Sequence, residues 1–193
     1  MRISKHDLPI RSKTLTGILL VNWARFGAVP IKVNGSTLFT GVNGVGKSTV
    51  LDAQTYAFVG NRTFNKAAHD RDRDVLSYVR GDTKSNGEYQ YLRSGQVTSY
   101  IMMEFYSETE KTYTTVGVCI ESPDEHTVKP FWFYRKDAKI SDFNVYVREG
   151  SKLIVNHRDS LKCKGEKIKL GDYIPQIDKG VSQNLRALGL RVL

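Results

Sequence analysis

Residues 41 to 48 read Gly-Val-Asn-Gly-Val-Gly-Lys-Ser, and this run constrains the fold more than anything else in the chain. It fits the pattern G-x-x-x-x-G-K-S/T without a mismatch. Gly41, Gly44 and Gly46 permit backbone angles that a β-carbon forbids. Successive N–H groups can then turn inward as an anion-binding nest. The flanks agree with this. Thr37-Leu38-Phe39-Thr40 predicts a strand running directly into the loop. From Ser48 the spacing becomes helical, with Val50, Ala53 and Ala57 on one face and Leu51 and Phe58 beside them. Gly60 and Asn61 supply the stop. Such a helix adds the positive end of its dipole to the nest.

These residues imply a triphosphate site for ATP with Mg²⁺. The backbone amides of Asn43, Gly44, Val45, Gly46, Lys47, Ser48 and Thr49 would hold the phosphates, with Gly41 opening the loop. Lys47 would reach the β- and γ-phosphates as a point charge and stabilise transferred charge, which makes it the catalytic candidate. The Ser48 hydroxyl is the candidate metal ligand, and Thr49 can add a hydroxyl and an N–H at the α-phosphate. A strand ending in Asp and then Glu, which would position the attacking water, is absent. Ile101-Met102-Met103-Glu104 lacks the Asp and reads as a strand with one outward carboxylate. Asn65-Lys66 is followed by Ala67-Ala68, so the Asp that reads guanine is missing as well.

Organisation follows from periodicity. Gly17–Val21 and Ile31–Val33 predict strands, and Arg71–Arg80 predicts a short helix with Val75, Leu76 and Val79 inward and Gly81 closing it. Residues 81–96 read as an exposed loop with a possible strand at Glu88–Leu92. Ser99–Tyr106, Thr112–Ile120 and Pro130–Tyr134 read as an antiparallel meander. In the middle segment, Val116, Val118 and Ile120 alternate with Thr115, Gly117 and Cys119, as in a half-buried strand. Phe143–Val147 and Lys152–Val155 extend the pattern, and Val181, Leu185 and Leu188 suggest a final helix. The expected architecture is one lobe of 193 residues: a P-loop α/β part over 1–96, its helix packed on a mixed sheet, and a mostly β part over 97–193. The end at Leu193 reads as a cut within a longer protein.

Composition enters where partners are concerned. The formal net charge is +9, which argues for an anionic partner. Lys162, Lys164, Lys167 and Lys169 read as a solvated β-hairpin, with DNA contact as the alternative. Cys119 and Cys163 are far apart, so neither a disulfide framework nor a zinc site is supported. His6, His69, His126 and His157 are scattered and read as surface or loop residues. No signal-peptide core or bilayer-length apolar run occurs, so the expectation is a cytoplasmic protein with no membrane partner.

The order strand, Asn22-Trp23-Ala24-Arg25-Phe26, strand, P-loop, Leu51-Asp52-Ala53 resembles the N-terminal head segment of SMC-like and Rad50-like ATPases. Phe64-Asn65-Lys66-Ala67-Ala68 with Ser77-Tyr78-Val79-Arg80-Gly81 resembles, more narrowly, the MukB-like SMC subunit of Wadjet plasmid-defence systems and related bacterial condensins. The likeness covers roughly residues 15 to 120. It implies an ABC/SMC-type P-loop NTPase head lobe with an antiparallel β extension. It further implies DNA contacted non-specifically through its backbone, a C-terminal head lobe, a second head in a dimer, kleisin-type accessory subunits and a nucleoid-associated location. It would place Arg25 against the nucleotide phosphates, although the usual basic position is one earlier, where Ala24 stands. Gln96 and Gln183 are the Q-loop candidates, without supporting context. Signature and Walker B motifs are not in this sequence, so the isolated lobe should hydrolyse ATP slowly or not at all. Two other readings stay open: a stand-alone ATP-sensing module without hydrolysis, and a basic nucleic-acid-binding domain whose P-loop holds backbone phosphate.

Overall fold

The computed structural model describes residues 13–34, 37–60, 64, 74–85 and 88–171. Its centre is a five-stranded sheet. Strands β1 (Lys13–Trp23), β2 (Phe26–Lys32), β5 (Val97–Ser107), β6 (Thr112–Ser122) and β7 (Lys129–Lys136) lie in the order β2-β1-β5-β6-β7. Every pairing in it is antiparallel. The expected mixed sheet is therefore corrected: the strands before the P-loop and the meander after residue 97 share one antiparallel sheet, joined where β1 pairs with β5.

The sheet is central because both of its faces are apolar. On one face Ile18, Leu20, Ile101, Met103, Val116, Val118 and Ile120 pack against the two helices. These are α1 (Lys47–Val59) and α2 (Val75–Arg80). On the other face Leu19, Val21, Tyr100, Met102, Cys119 and Phe133 are covered by Ala138, Phe143, Val145, Leu161 and Ile168. The expectation of a half-buried β6 is corrected accordingly. Its polar-looking alternates, Thr115 and Cys119, are fully buried, because a second layer lies over them. That layer carries the small hairpins β8 (Tyr146–Glu149) with β9 (Lys152–Val155), and β10 (Lys162–Cys163) with β11 (Glu166–Lys167). Tyr100 donates to the Asn156 carbonyl at 2.8 Å, and His157 Nε2 lies 2.6 Å from the Glu121 carboxylate, fixing the layer to the sheet.

The helices end as the sequence suggests. Gly60 and Gly81 take left-handed conformations and cap α1 and α2. Asp74 and Ser77 form a reciprocal capping box that starts α2. Residues 71–73, expected in the same helix, lie outside the described residues, as does the expected helix around Val181, Leu185 and Leu188. Two expectations fail. The stretch after Gly81 forms a hairpin: β4 (Glu88–Tyr91) falls where the possible strand at Glu88–Leu92 was expected, but β3 (Asp82–Ser85) stands where a loop was expected. Thr37–Thr40 is not a strand, and Leu38 is 84% exposed. A strand needs a ladder partner, and β1 already has neighbours on both sides.

Candidate phosphate-binding site

The loop from Gly41 to Gly46 leads into α1 at Lys47. Gly41, Gly44 and Gly46 have φ of 149°, 87° and 101°, the left-handed region that favours glycine. Gly46 is also the N-cap of α1, and it has no side chain to cap with. The N–H groups of Lys47, Ser48 and Thr49 therefore keep their donors for something outside the helix, since the first intrahelical bond runs from the Val50 N–H to the Gly46 carbonyl. A loop whose donors are left open at the positive end of a thirteen-residue helix fits a phosphate group.

Lys47 lies over this loop. Its ammonium donates to the carbonyls of Gly41 at 2.7 Å and Val42 at 3.0 Å. The cation is thus folded back on the loop that it would serve, and phosphate oxygens would replace these two neutral acceptors. Ser48 is exposed at the start of α1, so its hydroxyl is free to face a metal brought in with the phosphates. Thr49 is buried, and its carbonyl accepts from Trp23 Nε1 at 3.1 Å. Asn43, Gly44 and Val45 are exposed.

The sequence did not reveal what holds this loop in place. The β1–β2 hairpin closes with Trp23 paired to Phe26 across Ala24 and Arg25. Phe26 packs directly against Gly46. Trp23 is fully buried, stacks on Tyr78 with ring centroids 4.5 Å apart, and is flanked by Tyr56 and Phe64. Tyr78 also donates to the buried carboxylate of Asp52, one turn along α1 from Ser48. The hairpin turn is strained, with Asn22 and Ala24 both at φ 50°. Arg93 secures it, donating to the Asn22 side chain and to the carbonyls of Ala24, Phe26 and Val79. Burial lowers the Arg93 pKa to about 10, so the clamp remains charged at neutral pH. Arg80, fully buried, holds the Arg93 carbonyl in turn and also binds Gly95, Ser122 and Asp124. Neither arginine stands out in the sequence, because nothing about an isolated Arg marks it as a backbone clamp.

Arg25 sits exposed in the turn next to Phe26, the residue that touches the loop. Gln96 is exposed beyond the Arg93 segment, and Gln183 lies outside the described residues. Glu104 accepts from Thr16 Oγ1 and from the Ile140 N–H, both at 2.9 Å. It therefore ties the far-face layer to the sheet. Cys119 and Cys163 are free thiols. Among the described residues, no helix is long and apolar enough to cross a membrane.

No curated protein matches this chain. Residues 15–71 match the family model described as the P-loop containing region of AAA domain. That span holds β1 from Leu15, all of β2, the glycine loop and α1. Over residues 15–71 the chain is thus similar to a P-loop NTPase region, whose loop binds nucleotide and usually Mg²⁺.

Proposed function

We propose that this chain binds ATP·Mg²⁺ as the N-terminal half of an SMC-like ATPase head that acts on DNA, in plasmid defence or chromosome organisation. The observation that carries the reading is the glycine loop with open amide donors, Lys47 held over it and Ser48 exposed beside it. The amides from Asn43 to Thr49 bind the phosphates, Lys47 stabilises charge on the β- and γ-phosphates, and Ser48 holds the metal. Arg25 reaches the phosphates from the β1–β2 turn. Bound Mg²⁺ supplies neutralisation of phosphate charge.

The apolar surface around the loop supports the half-head reading. Leu38, Val42, Val45 and Leu51 are four of the six exposed large hydrophobics among the described residues. They stand on the unpaired segment, the loop and α1, within fourteen residues of one another in the chain. A face of this kind suits burial against a second lobe or a second head. The carboxylate that would position water comes from that lobe, so the chain alone turns over ATP slowly or not at all.

Calorimetry with a non-hydrolysable ATP analogue and Mg²⁺ tests this, using the GTP analogue and Lys47→Ala as controls. Saturable ATP binding that is lost in the variant supports the reading. Brisk ATP turnover by this chain, abolished by Lys47→Ala, would overturn the half-head assignment.

A further inference from the structure

The net positive charge of the chain is not spread evenly. Residues 129–171 hold eleven Lys and Arg against five Asp and Glu. The fold gathers much of this excess into one place. The β10–β11 hairpin is tied to the turn after β7: the Lys164 ammonium bonds the Asp137 carbonyl, the Lys164 N–H donates to the Asp142 carbonyl at 2.8 Å, and Arg135 donates to the Lys169 carbonyl at 2.7 Å. Lys136, Lys139, Lys162, Lys164, Lys167 and Lys169 are all exposed there. Sequence spacing alone joins only the last four.

Two of these lysines occupy locally unfavourable positions, and a third faces one of them across the strand pair. Lys162 and Lys167 are direct cross-strand partners, and like charges so placed repel. Lys164 occupies a left-handed turn position, φ 51°, ahead of Gly165, where Asn or Gly is the unstrained choice. The Lys164 side chain offsets its turn strain by anchoring to the Asp137 carbonyl and lying 3.9 Å from the Asp142 carboxylate, whereas the Lys162–Lys167 pair has no such offset within the hairpin. That repulsion is relieved when a polyanion lies across the hairpin.

We propose that the β10–β11 hairpin and the turn after β7 form a docking site for the phosphate backbone of duplex DNA. The site lies in the layer on the opposite face of the sheet from α1 and the glycine loop. It rests on the reading above that the protein acts on DNA, and it names the surface. Exposed ammonium groups on such a hairpin contact phosphates without reading sequence.

The test is fluorescence anisotropy of labelled duplex DNA over a salt series with the 193-residue chain and a Lys162→Gln, Lys167→Gln, Lys169→Gln variant. The expected loss is at least about ten-fold in affinity, with the slope of log K against log salt smaller by about 0.9 for each lysine removed. The variant should melt no lower than wild type, because it relieves a repulsion. A Lys32→Gln, Lys111→Gln, Lys129→Gln variant should keep the wild-type slope. A duplex RNA arm tests the occupant: slope loss with duplex DNA supports the site, and tighter binding of duplex RNA overturns DNA as its occupant. An unchanged slope in the hairpin variant overturns this surface and leaves DNA action standing. Wild-type protein that binds no duplex overturns both, and binding only to anionic vesicles overturns the duplex assignment.

Discussion

Phe26 occupies the space that a side chain on Gly46 would need: a β-carbon there would lie 2.6 Å from Phe26 Cζ. The β1–β2 hairpin and the first residue of the glycine loop's helix cap are therefore in direct contact, and Gly46 also sits at φ 101°. Gly46→Ala should fail on both counts. We expect a loss of roughly 2 kcal/mol or more in stability and no measurable nucleotide binding. Pairing it with Phe26→Ala should remove the clash but not the backbone strain, so thermal melting should recover only in part while calorimetry stays silent.

Lys47→Ala should separate binding from folding. Among the described residues the ammonium bonds two loop carbonyls at the surface, so its removal should change unfolding free energy by less than about 1 kcal/mol. Nucleotide affinity should fall about a hundred-fold or more, because a phosphate loses its point charge. A variant that melts far below wild type would show that the lysine holds the loop itself together.

Arg80→Met should be among the most damaging single changes. The guanidinium is fully buried and satisfies carbonyls of Arg93, Gly95, Ser122 and Asp124. Methionine fills the volume but donates nothing, leaving the buried Ser122 oxygens and the part-buried Arg93 and Gly95 carbonyls without this donor, at up to about 1–3 kcal/mol for each that water cannot reach. Chemical denaturation should show a loss of at least about 3 kcal/mol. Arg80→Lys should rescue little, since an ammonium lacks the planar fork.

Alkaline pH should destabilise the fold through the far-face core. Burial raises the Cys119 thiol from 9.0 to about 12, and burial likewise raises the Tyr100 hydroxyl. Between these limits the unfolded chain releases protons that the folded chain retains. Stability is thus whole below pH 9 and falls as pH rises toward 12. Arg93 acts in the opposite sense above its lowered value of about 10, because burial favours its neutral form. Melting temperatures recorded upward from pH 8 should therefore fall, and Cys119→Ala should make the fall shallower. The native thiol should also resist alkylation at pH 8, since the thiolate is the nucleophile.

The glycine loop, the helix after it and the meander were legible in the sequence because each is a local rule. Glycine at 41, 44 and 46 reports a backbone need, Val50, Ala53 and Ala57 report a helical face, and Gly60 and Gly81 report helix ends. Partner choice in a sheet is not local. That Leu15 to Val21 lies between Ile31 on one side and Ile101 on the other depends on which apolar faces close over one another, so the single antiparallel sheet, the unpaired Thr37–Thr40 and the doubly buried β6 emerged only in three dimensions. The same holds at the site. The sequence named Lys47 and Ser48 from their spacing, but Phe26 against Gly46, Trp23 beneath Thr49 and the Arg93 and Arg80 clamps bridge distant segments. What the chain determined by itself was a loop able to hold phosphate. What tertiary structure decided was how that loop is braced, because long-range packing and buried hydrogen bonds are satisfied only when the whole lobe has closed.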